Sequence, residues 1–155
     1  MQAARLLDLT RLVSRHGRGA WTGVDRVEAA WLDHLIDAPE PMFALVRLAT
    51  GFALLDRAAS KALRDRLTGV VPMARTDLAG HLSRRLTPQQ RIAQAEVRRR
   101  AVAQARPRWL SRMLRQHLGD GFCWIATGLS NLSDEVFDAV HAAGGTAMVL
   151  VHDTI

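Results

Sequence analysis

Apolar and polar positions alternate between two periods along this chain, and the change of period marks its elements. Leu6 and Leu7, followed by Leu9, predict a short strand over Arg5 to Asp8. A glycine-bearing loop, Ser14 to Ala20, comes next. Thr22 is placed to cap a helix, with Asp25 three residues on completing a capping-box pair. In that helix Val24, Val27, Trp31 and Leu35 recur at helical spacing and predict its inward face. Asp37-Ala38-Pro39-Glu40-Pro41 ends it, because proline cannot continue a helix. Met42 to Arg47 and Gly51 to Leu55 read as two strands, paired as a hairpin. Arg57 to Leu67 is helical, and Gly69 to Pro72 breaks it. From Thr76 to Leu118 the pattern is mostly helical, interrupted at Thr87-Pro88 and Arg106-Pro107. Thr87 and Pro88 read as cap and first helical residue.

The final third is the clearest. Gly121 to Ala126 predicts a strand, Thr127 to Asn131 a loop, and Ser133 the cap of a helix reaching about Ala143. Val136, Phe137 and Val140 form its inner face, and Gly144-Gly145 ends it. Thr146 to Val151 is a continuous apolar run, the pattern of a strand covered on both faces. Strand, helix, strand in so short a span is a βαβ unit with parallel strands. The fold class expected is therefore α/β: an incomplete Rossmann-like domain over residues 1–155. Its parallel central sheet holds Leu6 to Asp8, Phe122 to Ala126 and Ala147 to Val151, with a helical insert around 76–118.

Composition narrows the picture modestly. The chain has 155 residues, enough for one domain. A lone cysteine, Cys123, lies in an apolar run and reads as buried and inert. The N-terminus lacks a basic start followed by a long apolar core, so no signal peptide is expected. The longest apolar stretch, Met42 to Leu55, is broken by Arg47 and Gly51 and falls short of the roughly 20 residues that span a bilayer. A cytoplasmic location is the expectation. The net charge of +6 comes almost wholly from arginine. Between Arg84 and Arg115 the only acid is Glu96. Such a run reads either as a solvated helix face or as a contact for an anionic membrane surface or acidic ligand, which would place the protein at the inner membrane. A basic helical module for membrane or nucleic acid is thus an alternative class. Nucleic acid is not the expected partner, because tyrosine is absent and aromatics are few.

Open α/β sheets bind ligands beyond the carboxyl ends of their strands. Three polar clusters fall there: Thr10-Arg11 with the loop after it, Thr127 to Asn131 with Ser130 and Asn131, and His152-Asp153. At Thr22-Gly23-Val24 a helix start offers unpaired N–H groups and the positive end of the helix dipole, a site for an anion such as a diphosphate. Gly23 would let a ligand approach the backbone, and Arg11, Arg15 and Arg26 would add charge. The alternative is that Gly17 and Gly19 merely permit a turn. His152 is placed to bond a sugar hydroxyl or phosphate, or simply its own backbone, and Asp153 to orient it or cap the next segment. The other histidines lack paired ligand spacing, so no metal is expected. Neither a nucleophile elbow nor a P-loop is present.

Asp8-Leu9-Thr10-Arg11, followed by Thr22-Gly23-Val24-Asp25-Arg26-Val27-Glu28, resembles the opening of bacterial family 4 glycosyltransferases of the GT-B fold. Thr127 to Leu132 and Val149 to Ile155 match two later segments of that family in order. Leu129 departs from it, standing where the family usually has histidine, and Ile155 falls short of the rest of the family's N-terminal domain. The resemblance implies retaining transfer of a sugar from a nucleoside-diphosphate sugar to a saccharide or lipid-linked acceptor, with no cofactor or metal. It implies that Thr22, Gly23, Val24, Arg26 and Asp153 face the donor diphosphate and sugar, and that His152 is the catalytic-site residue against the donor sugar. Arg11, Ser130 and Asn131 would lie toward the acceptor or behind the donor. The nucleotide-sugar domain would lie in a second Rossmann-like unit, so the chain alone is expected to be an inactive fragment. A non-catalytic remnant is the further alternative.

Overall fold

The computed structural model describes residues 3–127 and 132–151. The chain starts with β1 (Arg5–Asp8), α1 (Thr10–Ser14) and α2 (Gly23–Asp37), then β2 (Met42–Leu48), β3 (Gly51–Leu55) and α3 (Arg57–Leu67). Next come α4 (Leu78–Leu82), α5 (Pro88–Arg100) and β4 (Ala103–Ala105), then a single 3₁₀ turn at Pro107–Trp109 and α6 (Leu110–Leu118). β5 (Cys123–Ala126), α7 (Asp134–Ala142) and β6 (Thr146–Val149) complete it. The strands form one sheet in the order β4-β3-β2-β1-β5-β6. β2, β1, β5 and β6 run parallel, and β3 and β4 are antiparallel additions on one side. The architecture is α/β with a mixed six-stranded sheet, compatible with a Rossmann-like fold.

Side chains alternate across the strands, as the two-residue period requires. Leu7, Ala44, Val46, Ala53, Leu55 and Ile125 point into one core layer, covered by α1, α2, α3 and α5. Leu6, Leu45, Phe52, Leu54, Trp124 and Ala126 point into the other, covered by α6 and α7. The β2–β3 hairpin depends on Gly51, whose φ is +136°. A Cβ there would meet the Ala105 carbonyl oxygen at 2.5 Å, so β4 can lie beside β3 only with glycine at that position.

Several local readings hold. The capping box of α2 forms as expected, Thr22 with Asp25, and Thr87 and Pro88 begin α5 as cap and first residue, where Gln90 adds a second capping box. Ser133 caps α7. Other expectations need correction. Thr10–Ser14, to which the pattern assigned no element, is a short helix, and it takes in Ser14, the first residue of the expected loop. The expected parallel core of β1, β5 and β6 is present, but the sheet as a whole is mixed, because the hairpin and β4 extend it antiparallel. The expected helical insert at 76–118 contains a sheet strand, β4, whose Ala-Gln-Ala sequence carries no β-branched signal. β6 ends at Val149 and is an edge strand with Thr146 and Met148 exposed, so its apolar run does not mean cover on both faces. In α2 the buried stripe is Asp25, Glu28, Leu32, Leu35 and Ile36, while Val24, Val27 and Trp31 are only half-buried. Two carboxylates occupy the inward face, and a pattern that counts apolar residues rotates the helix away from them. Cys123 is half-buried rather than enclosed.

The basic run also resolves differently from a uniformly solvated face. Glu96, its only acid, is buried and holds Arg99, Arg100 and, from α3, Arg66. It also accepts the Ala74 N–H at 2.7 Å. Arg98 forks onto Asp77, whose carboxyl those hydrogen bonds hold at about 2 against the opposing effect of burial. These arginines fasten α3, α4 and α5 to one another.

Candidate functional site at the carboxyl ends of the parallel strands

From β1 the chain crosses through α2 to β2 on one side, and from β5 it crosses through α7 to β6 on the other. The two connections leave on opposite faces, α2 with the first core layer and α7 with the second. The divergence between the ends of β1 and β5 is the place where open α/β sheets form a crevice. Polar groups that are nearly all buried meet there: Asp8 at the end of β1, Thr10 just beyond it, Thr127 after β5, and Asp25 and Glu28 from the first turns of α2.

Each group has defined partners. Asp8 accepts the Thr10 N–H at 3.0 Å and the Trp124 indole N–H at 3.3 Å. The Thr10 hydroxyl oxygen accepts the Arg47 N–H at 3.0 Å, tying β2 to the same point. Glu28 accepts the Leu12 N–H at 3.3 Å on one oxygen and meets the Thr127 hydroxyl at 3.3 Å on the other. Burial pushes the Glu28 carboxyl up to about 8, and the negative charge of Asp8 adds to this; the contacts from Leu12 and Thr127 and the Arg11 charge only partly oppose it. At neutral pH, then, Glu28 is largely protonated in the folded protein.

Asp25 behaves oppositely. Burial alone would raise its carboxyl, but hydrogen bonds from the Thr22 backbone and side chain and the nearby Arg11 charge hold it below the ordinary range. Its oxygens take the Thr22 N–H at 2.8 Å, Arg11 Nε at 3.0 Å and Arg15 Nε at 3.3 Å. Arg11 Nη2 also reaches the Thr22 hydroxyl at 3.5 Å. One ionised carboxylate thus caps α2 and gathers two guanidinium groups beside the helix start.

Of the residues expected to bind the donor, Thr22 and Gly23 are exposed at the α2 N-terminus, and Val24 is half-buried. No atom lies within 4 Å of where a Gly23 Cβ would stand, so the backbone there is approachable. Arg26 is exposed on the far side of the buried stripe. Arg11 is brought to the cluster through Asp25. Ser130, Asn131, His152 and Asp153 lie outside the described residues. The cluster contains Thr127, from the second of the expected polar clusters, and also groups to which the sequence pattern gave no site role: Asp8, Asp25 and Glu28. A signal existed for all three. Asp25 and Glu28 stand three apart, in phase with Leu32 and Leu35, which is the spacing of a single helical face. Asp8 ends an apolar strand. Among the described residues no group of three or more His, Cys, Asp or Glu could hold a metal ion, and no helix is long and apolar enough to cross a membrane.

Comparison with protein-family models, with curated proteins and with solved structures finds no match to this chain. Fold and site define its class alone: an α/β protein with a cluster of buried polar groups at the divergence of its parallel strands.

Proposed function

We propose that the chain is the acceptor-side portion of a GT-B-type sugar transferase, working on a nucleoside-diphosphate sugar and a saccharide or lipid-linked acceptor. One observation carries the reading. The polar residues of Asp8-Leu9-Thr10-Arg11 and Thr22 to Glu28 that carry the resemblance, all but the exposed Arg26, gather around the end of β1 and the first turns of α2, where Asp8 is hydrogen-bonded to Thr10, Asp25 to Arg11 and Thr22, and Glu28 to the Leu12 N–H. In this reading the cluster fixes α2 so that the free N–H groups at Gly23 and Val24 face the leaving diphosphate, where developing charge needs stabilising. Arg11 and Arg15, already gathered by Asp25, add positive charge at the same edge. His152 would stand against the donor sugar, with Asp153 beside it, and Ser130 and Asn131 would border the acceptor. Most nucleotide contacts would come from a second Rossmann-like unit.

The reading predicts weak donor binding by this chain alone. A helix terminus and nearby charges contribute about 0.3–1 kcal/mol each, so a few of them give roughly millimolar affinity. Titration calorimetry with nucleoside diphosphates is expected to show that weak binding and no sugar transfer. Micromolar affinity would contradict the division of contacts, and complete absence of binding would remove the diphosphate role of α2.

A further inference from the structure

A second surface lies at the opposite edge of the sheet from β6. Beyond β4, the edge strand, the 3₁₀ turn and α6 border an open groove of about 430 Å³. Its walls carry Gln104, Arg106, Arg108, Trp109, Arg112 and Gln116, with no acid among the lining residues. Arg106, Arg108 and Arg112 are exposed and form no ion pair with any described residue, in contrast to Arg98, Arg99 and Arg100. Trp109 is 49% exposed, with the Arg108 guanidinium 5.4 Å from its ring centre, and Val102 beside β4 is 43% exposed.

We infer that this face docks on an anionic phospholipid bilayer. Guanidinium groups match phosphodiester oxygens two at a time, and here no existing ion pair has to break first. An amphipathic indole and a neighbouring valine suit the headgroup boundary, where one end of a side chain is apolar and the other wet. Nucleic acid is the weaker fit to the same charges. Trp109 is the only aromatic among the well-exposed large apolar side chains of the described residues, and single strands stack on several. The docking face is independent of the sugar-transfer reading and stands or fails separately.

Co-sedimentation with vesicles tests it, using phosphatidylcholine with and without phosphatidylglycerol. Binding is expected only to the anionic vesicles and is expected to fall steeply with salt. Each arginine near such a surface is worth about fivefold in partitioning, so the triple variant Arg106→Gln, Arg108→Gln, Arg112→Gln is expected to bind on the order of a hundredfold more weakly. Trp109→Ala is expected to cost on the order of tenfold. The control Arg84→Gln, Arg85→Gln removes two exposed arginines away from the groove and should change partitioning by no more than about twofold if electrostatics is local. Circular dichroism checks that all variants remain folded. No vesicle binding, equal binding to neutral vesicles, an unaffected triple variant, or an equal loss in the control overturns the inference. So does tighter binding to a single-stranded oligonucleotide together with indifference of vesicle binding to Trp109→Ala.

Discussion

Glu28→Gln is expected to make the protein more stable than the parent at pH 8 and above, and to remove most of the parent's loss of stability between pH 5 and 8. The sign follows from proton uptake. The Glu28 carboxyl sits at about 8 in the folded state against an ordinary 4.5. Between those values the folded state holds a proton that the unfolded state has released, so unfolding becomes easier as pH rises. The stability is fully present below the unfolded value and lost as pH passes the folded one. Each tenfold difference in proton affinity between the two states corresponds to about 1.4 kcal/mol, so by pH 7 the loss is about 3 kcal/mol. Glutamine keeps the shape without the titration. Its amide oxygen can accept the Leu12 N–H, and its NH₂ can donate to the Thr127 hydroxyl oxygen. Urea unfolding of both proteins at pH 5, 7 and 8.5 reads the effect. Parallel pH dependence in parent and variant would mean that Glu28 is not the buried acid described.

Trp124→Ala is expected to be among the most damaging single substitutions, at about 3–5 kcal/mol. Trp124 is fully buried, the largest such side chain among the described residues, and packs edge-on against Phe137 with ring centres 5.3 Å apart. Its indole N–H also reaches Asp8, so truncation both empties the layer under α7 and removes a donor from the buried polar cluster. Trp124→Phe restores most of the volume but not the donor, and is expected to cost about 1–3 kcal/mol. Since domains of this kind are stable by about 5–15 kcal/mol, the alanine substitution removes a large share of the total stability. Denaturant titration followed by circular dichroism distinguishes the two. A loss below about 1 kcal/mol for alanine would contradict the packing described for this layer.

The sequence made the local structure legible where a cap or a breaker marks an element boundary. Thr22, Thr87 and Ser133 each take the backbone N–H three residues on, and each begins a helix as its spacing predicts. The βαβ unit and the hairpin were legible for the same reason: their periods are long enough and their turns carry glycine or a tight connection. What was not legible is set by partners distant in the chain. β4 is a strand because Gly51 lets it approach β3, which Ala103-Gln104-Ala105 does not announce. The rotation of α2 is decided by Asp25 and Glu28, buried because Arg11, Arg15, Leu12 and Thr127 satisfy them. In isolation a carboxylate reads as a solvent-facing group, and only these tertiary partners turn it inward. Likewise Glu96 looks incidental within an arginine run until Arg66 from another helix closes on it. The candidate site was half legible. Thr22, Gly23 and Arg11 came from loop and cap chemistry, while the buried pair Asp8 and Glu28 required the strand order that brings β1 and β5 together.

The α2 N-terminus, as an anion site held in place by the buried cluster beneath it, is the centre of the proposed function. Residue-resolved amide shifts during titration with a nucleoside diphosphate test this most directly. The expected result is saturation at roughly millimolar concentration, with the largest shifts at the Gly23 and Val24 amides and the Arg11 and Arg15 side chains. Gly23→Val should abolish them without loss of stability, since the added side chain meets no atom within 4 Å of its Cβ. Shifts centred elsewhere, or a Gly23→Val variant that binds as the parent does, would contradict that role for α2.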